Sequence, residues 1–164
     1  ADAIYAGFAD CYIPKNEWSY VIESLEKSGD SSIIHKYLKD PGESQLSKSA
    51  KFFEAAFKSK KLSKIVKFLF KSENPLAHLA SQKIKKNCPI AMTYTLEMLS
   101  RLTPTSKIED ALDLEYRFTS RAQEYGSFQE GIRAVIIDKD RKPKWKFKID
   151  GVPKEIIDEF FKPV

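Results

Sequence analysis

The chain has 164 residues, 42% of them hydrophobic and 31% charged, with a formal net charge of +5 and a pI near 9.0. These values are ordinary for one globular domain or a large piece of one, and they exclude collagen-like, coiled-coil and disordered classes. The basic balance permits contact with phosphates, acidic lipids or nucleic acid without specifying any of them.

Cys11 and Cys88 form no CxxC pair, so neither a zinc cluster nor a disulfide framework is expected, and a reducing compartment is favoured. No apolar run approaches the roughly 18–20 residues needed to span a bilayer. Six glycines are few for a compact α/β enzyme, which needs them in strand-to-helix turns and beside ligands, so a mainly α chain is expected. The start, ADAIYAGFADCYIP, lacks an initiator Met and a signal-peptide pattern. It reads like the interior of a longer protein: a truncated piece, a processed product or one half of a split gene.

Taken in order, ADAIYAG reads as a short helix stopped by Gly7, and FADCYI as a short extended run closed by Pro14. Trp18, Val21, Ile22 and Leu25 recur at helical spacing between Asn16, a candidate N-cap, and Gly29. SSIIHKYLKD predicts a shorter helix ended by Asp40-Pro41-Gly42. Residues 47–72 carry two amphipathic segments around a basic joint; lysines 48, 51, 58, 60, 61, 64, 67 and 71 face a single acid, Glu54.

Asn74-Pro75 and Pro89 each open a further helix. In the second, Ile90, Met92, Leu96 and Leu99 mark an apolar side. Ser106 and Glu109 stand in capping-box register before a helix that Gly126 ends. SFQEGIRAVIID forms a short helix and, past the loop KDRKPKWKFKIDGVP, KEIIDEFFKPV forms the last. The expectation is a single helical region over 1–164, with possible sub-regions 1–72 and 73–164. Such a chain is either an all-α domain or the helical half of an α/β fold whose sheet lies elsewhere.

Catalytic candidates are sparse. HExxH, GxSxG, Walker and GxGxxG patterns are missing. His35 and His78 read as helical surface residues, the cysteines as small buried hydrophobes, and Glu109, Asp113, Arg117 and Arg121 as i,i+4 ion pairs on a solvated face, with a Glu115–Arg121 pair as the alternative. The 48–71 lysines suit a solvated face, an anionic membrane or nucleic acid, although no RNP1 or KH signature accompanies them.

In GSFQEGIRAVIIDKDRKPKW, residues 126–145, an apolar stripe of Phe128, Ile132, Val135 and Ile136 runs into a basic tail. Basic groups beside Trp145 also suit a nucleotide, with cations for phosphate and an aromatic face for a base.

That string resembles the signature DFxEGxRAxLIDKDxxPKW of the 3-hydroxyisobutyryl-CoA hydrolases, a branch of the enoyl-CoA hydratase/isomerase (crotonase) superfamily. CPIAMTYTLEML, DLEYRFTSRA and ADAIYAGFADCYIP are similar, in order, to further family segments; Ser127 replaces the usual Asp and Cys88 the usual Ser. The resemblance covers essentially the whole chain and is weakest over residues 30–72.

It implies the helix-rich C-terminal portion of a crotonase-like α/β fold, with at most one or two short strands. The glycine-rich oxyanion-hole segment and the acid/base carboxylates would lie upstream of residue 1, so no residue here is assigned a catalytic role. No metal or cofactor is implied, the CoA thioester being the substrate. Lys139, Arg141, Lys142 and Lys144 are the implied neighbours of the CoA phosphates, and Phe128, Glu130, Gly131 and Arg133 the structural or docking residues.

The implied function is that of the C-terminal half of an acyl-CoA thioesterase of valine breakdown, inert alone, in a bacterial cytoplasm or a mitochondrial matrix. Its implied partners are an N-terminal catalytic half, acyl-CoA and, in one arrangement, further copies of itself; nucleic acid is not expected. The alternative is a non-enzymatic interaction module that binds a protein or an anionic surface through its lysine-rich face. An exposed apolar patch is expected where the catalytic half would sit.

Overall fold

The first helix, α1 (Asp2–Tyr5), closes as its glycine predicts. Gly7 sits at φ +76°, and the N–H groups of Gly7 and Phe8 donate to the carbonyls of Ile4 and Ala3 at 3.1 and 2.8 Å, satisfying carbonyls that a helix end leaves open. The structure, a computed structural model, describes residues 1–125 and 127–164. It divides into two units, Ala1–Glu54 and Ala55–Val164.

In the first unit the extended run expected in FADCYI does not become a strand, and no strand occurs among the described residues. The Tyr12 carbonyl accepts the Lys39 N–H at 3.0 Å, but no adjacent ladder exists to extend that pairing. Asn16 is not a helix cap; it lies inside a 3₁₀ turn, Lys15–Glu17, that feeds directly into α2 (Trp18–Ser28). The Trp18 indole fixes that entry by donating to the Ile13 carbonyl at 3.0 Å, and Gly29, at φ +65°, ends the helix.

The next segment is a 3₁₀ helix, Ser31–Tyr37, opened by Asp30, whose carboxylate accepts the Ser32 N–H at 2.9 Å and hydroxyl at 2.7 Å. A carboxylate that satisfies backbone two residues on competes with α-helical pairing, which favours the shorter-range turn. Asp2 then reaches across the sequence to α3 (Gln45–Phe57), accepting the Ser44 hydroxyl at 2.8 Å and the Leu46 N–H at 3.1 Å. Those bonds, the Leu46 N–H foremost, hold its carboxyl below the usual aspartate range.

The boundary between the units falls within α3. In the second unit the joint Lys58–Lys61 leads to α4 (Leu62–Phe70), which buries Leu62, Ile65 and Leu69 and exposes Lys64 and Lys67. Asn74 caps α5 (Pro75–Lys86) by accepting the Leu76 N–H at 2.9 Å. Then follow α6 (Pro89–Arg101), α7 (Ile108–Arg121), α8 (Ser127–Ile132), a π-helical turn (Arg133–Ile137) and α9 (Lys154–Phe160).

Of the capping box predicted at Ser106 and Glu109 one half forms, one residue later: Asp110 accepts the Lys107 N–H at 2.9 Å, while the Lys107 ammonium can only donate and the Ser106 hydroxyl accepts the Thr103 N–H at 2.9 Å. The stop predicted at Gly126 lies outside the described residues; α7 itself ends at Arg121.

The core of this unit joins α6 and α9 through buried Ile90, Tyr94, Ile157, Phe160 and Phe161. Tyr94 stacks on Phe161 at 4.4 Å between ring centroids, and Phe118 stacks on Phe160 at 4.8 Å. Offset aromatic pairs of this kind add to the burial of apolar area. The Tyr94 hydroxyl donates to the Leu114 carbonyl at 2.7 Å, and burial raises its pKa against the opposing pull of Arg117 and Arg101.

Cations hold the chain end against this core. Arg117 donates to the Phe161 carbonyl and Arg121 to the Pro163 carbonyl, both at 2.7 Å, while the Arg101 guanidinium lies 3.6 Å from the centroid of the Phe161 ring. The expected i,i+4 pair forms between Asp113 and Arg117 at 2.6 Å. Arg121 is committed to the chain end instead, and Glu115 does not pair with it.

Candidate functional site

In the segment 127–145, Glu130 and Arg133 stand three residues apart on α8 and the turn after it, the spacing that brings two side chains onto one face. Arg133 spends all its donors locally. Nε and Nη2 grip the two oxygens of Glu130 at 2.9 and 2.8 Å, Nη1 reaches Asp138 at 2.5 Å and Asp140 at 2.9 Å, and Nη2 also donates to the Lys142 carbonyl at 3.1 Å.

The carboxylates in turn order the loop. Glu130 accepts the Lys144 N–H at 2.5 Å and Asp140 the Lys142 N–H at 2.8 Å. The Arg133 guanidinium and the Lys144 N–H drop the Glu130 pKa from the ordinary 4.5 to about 2; Asp140 is lowered by the Lys142 N–H and by Arg133. A carboxylate held this firmly ionised is a structural acceptor and a poor general base at neutral pH.

Lys139 and Arg141 sit in the left-handed region at φ +55° and +53°, held there by the ion pairs on either side and by the Arg141 N–H donating to the Ala134 carbonyl at 2.9 Å. The loop then brings Trp145 back to α5, where its indole donates to the Lys86 carbonyl at 3.0 Å. A Cβ built on Gly131 would meet the Trp145 ring at 3.8 Å, an ordinary contact, so glycine is not required there for room.

Between α5, α6 and this loop lies an open groove of about 940 Å³. Met92, Leu96 and Leu99, which periodicity assigns to the apolar side of their helix, line it instead of the core, together with Leu62, Ile84, Ala91, Ala134, Val135 and Trp145. Lys86 and Arg141 are its charged lining residues, and Cys88 is half-buried at its wall. Val135, Ile136 and Ile137 are more than three-fifths exposed, at 61%, 63% and 68%, and Phe128 is 58% exposed. Of these four, Val135 lines the groove, and an exposed apolar groove is a surface suited to being covered.

Of the four phosphate candidates, Arg141 lines this groove, whereas Lys139, Lys142 and Lys144 are exposed away from its lining. The structural set Phe128, Glu130, Gly131 and Arg133 occupies one short stretch, with Glu130 and Arg133 joined. His35 and His78 are exposed, and no cluster of metal-ligating side chains occurs among the described residues. Sequence reading missed the docking of Trp145 on Lys86, since nothing local to either position announces it.

The site is thus an apolar groove beside a loop anchored by Glu130, Asp138 and Asp140 on a helical chain. The family model for enoyl-CoA hydratase/isomerase matches residues 1–161, and the chain belongs to that family. It is 27% identical to the mitochondrial 3-hydroxyisobutyryl-CoA hydrolase of Gallus gallus and 26% identical to that of Homo sapiens, aligning over 99% and 98% of this chain and 45% of each relative.

Two solved structures share its fold, each over 99% of this chain and 47% of its own length: an enoyl-CoA hydratase from Rhodobacter sphaeroides (40% identical, TM-score 0.87) and a carnitinyl-CoA dehydratase from Mycobacterium thermoresistibile (27% identical, TM-score 0.89). The chain thus spans about half the length of the relatives it matches, in their C-terminal part. The helix-rich C-terminal portion of a crotonase-like fold is what the sequence resemblance implied.

Proposed function

We propose that this chain is the C-terminal helical half of a 3-hydroxyisobutyryl-CoA hydrolase-like acyl-CoA thioesterase, covering the acyl-CoA site and inert alone. The observation that carries the reading is the open apolar groove on a chain that aligns with 45% of its hydrolase relatives. The acids with lowered pKa values in the second unit, Glu130 and Asp140, are spent on ordering a loop, which agrees with a chemistry supplied from elsewhere. Thioester hydrolysis needs preorganised N–H donors at the developing oxyanion, and losing one typically costs about 10²–10³ in rate.

Arg141, at the groove, is the phosphate neighbour this reading favours, with Lys139, Lys142 and Lys144 as the outer candidates. The relatives' names place them in mitochondria, and a matrix location follows for this chain on the same reading. The test is thioesterase activity on 3-hydroxyisobutyryl-CoA, for this chain alone and mixed with the N-terminal part of a relative. Activity in the mixture only is the expected result. Turnover by the chain alone would overturn the placement of the catalytic groups, and silence in both, with helical content intact, would overturn the hydrolase reading.

One observation favours a second reading, an interaction module. Lys58, Lys60, Lys61, Lys64, Lys67 and Lys71 are exposed beside the exposed rings of Phe68 and Phe70, with no acid between Glu54 and Glu73. Binding of a polyanion through this face would weaken steeply as salt is raised.

A further inference from the structure

From Ala55 to Ser72 the chain carries six lysines and no acid. All six are exposed, and none is ion-paired among the described residues. Folding gives three of them one direction. Because α4 buries Leu62, Ile65 and Leu69, Lys64, Lys67 and Lys71, spaced by three and four residues, form a stripe along its opposite side. At about 100° per residue, Phe68 and Phe70 fall on the two flanks of that stripe, 42% and 59% exposed. Lys85 of α5 brings a further ammonium to this face, 4.3 Å from the centroid of the Phe70 ring.

Taken alone, this arrangement disfavours the helix. Like charges three and four residues apart repel, and Lys61 at the N-cap, with no acid in the first turn, opposes the helix dipole. An anionic surface laid along α4 relieves both effects together. A soluble polyanion uses the ammonium groups alone, whereas a bilayer also takes the rings, at the level where headgroups meet acyl chains. No helix among the described residues is long and apolar enough to cross a membrane, so the contact is that of a helix lying on the surface.

We infer that α4 and the lysine joint before it bind the surface of an anionic lipid bilayer, with the ammonium groups at the lipid phosphates and the rings of Phe68 and Phe70 among the headgroups. The inference rests on the lysine-face reading above and names its partner. Each lysine near an anionic leaflet strengthens binding by roughly fivefold, so a stripe of three with neighbours on the joint is enough for attachment without a membrane span.

The experiment is cosedimentation of the 164-residue chain at low salt with phosphatidylcholine vesicles, with and without about one-third phosphatidylserine, beside titrations with heparin and a single-stranded oligonucleotide. The anionic vesicles are expected to bind at least about tenfold more tightly than the neutral ones. Replacing Lys64, Lys67 and Lys71 together by Gln should weaken that binding by about thirty- to a hundredfold. The same charge removed from Lys139, Lys142 and Lys144 should leave it unchanged, with helical content intact in both variants. Phe70→Ala should weaken vesicle binding by about threefold and leave heparin binding as it was. Heparin or oligonucleotide binding without a preference for anionic vesicles would overturn the bilayer and leave the polyanion reading standing. Binding to none of them would overturn both, and equal losses in the two triple variants would overturn the assignment to α4.

Discussion

Glu130 and Arg133 meet as a two-pronged pair, Oε2 to Nε at 2.9 Å and Oε1 to Nη2 at 2.8 Å, and the same carboxylate takes the Lys144 N–H. The folded carboxyl titrates at about 2 and the free one near 4.5. Between those values the unfolded chain binds a proton that the folded chain does not, so this group's stabilisation is present above about pH 4.5 and is lost as the pH falls towards 2. Urea midpoints measured across that window should fall less steeply in Glu130→Gln than in the unaltered chain. Identical slopes would refute the assignment.

Core and rim should respond differently to truncation. Phe160 is 1% exposed and packed by Tyr94, Phe118 and Tyr125, so Phe160→Ala should cost about 3–5 kcal/mol. Phe128 is 58% exposed, and Phe128→Ala should change stability by no more than about 0.5 kcal/mol. Thermal unfolding of the two variants checks the contrast; a large loss at Phe128 would show that its surface is already covered.

The chain end offers a separate test. Arg117→Gln removes a charged donor from the Phe161 carbonyl and should cost about 1.5–3 kcal/mol. Arg121→Gln breaks a more exposed bond, to Pro163, and should cost about 0–1 kcal/mol. Amide hydrogen exchange should quicken at Ile157–Phe161 in the first variant while the amides of α4 keep their rates. Unchanged exchange in α9 would mean the carbonyl contacts do not hold it.

Lys139 adopts φ +55° without the freedom of a glycine. Left-handed backbone costs an L-residue roughly 1–2 kcal/mol, partly offset by the greater entropy glycine loses on folding. Lys139→Gly is therefore expected to stabilise the chain by about 0.5–1 kcal/mol, read as a higher urea midpoint at unchanged slope. A destabilised variant would show that the lysine side chain is engaged.

What the sequence made legible was local chemistry. Gly7 and Gly29 end helices, Asn74-Pro75 and Pro89 begin them, and the lysine-rich stretch is two helices around a joint. The family was legible as well, from one long string near the C-terminus. What stayed hidden were contacts between distant positions: Arg117 with Phe161, Asp2 with Leu46, Trp145 with Lys86. No spacing rule encodes these, since each depends on how helices are placed.

One local reading failed through competition: the Ser106 hydroxyl accepts the Thr103 N–H instead of capping the helix. The Met92, Leu96 and Leu99 stripe is the apolar side expected, but it lines a groove rather than the core. Periodicity reveals that a helix has an apolar side but not what will lie against it.

The π-helical turn at Arg133–Ile137 gives this segment an unusual genetic sensitivity. Its closing bond runs from the Asp138 N–H to the Arg133 carbonyl at 2.8 Å, one residue wider than an α-helical turn. In-frame loss of a single codon among Val135, Ile136 and Ile137 would restore ordinary pitch at once. Everything after it would then swing by about 100° around the helix axis, carrying Asp138 and Asp140 away from Arg133 and Trp145 away from Lys86. The register of everything after this stretch therefore depends on how many residues it holds.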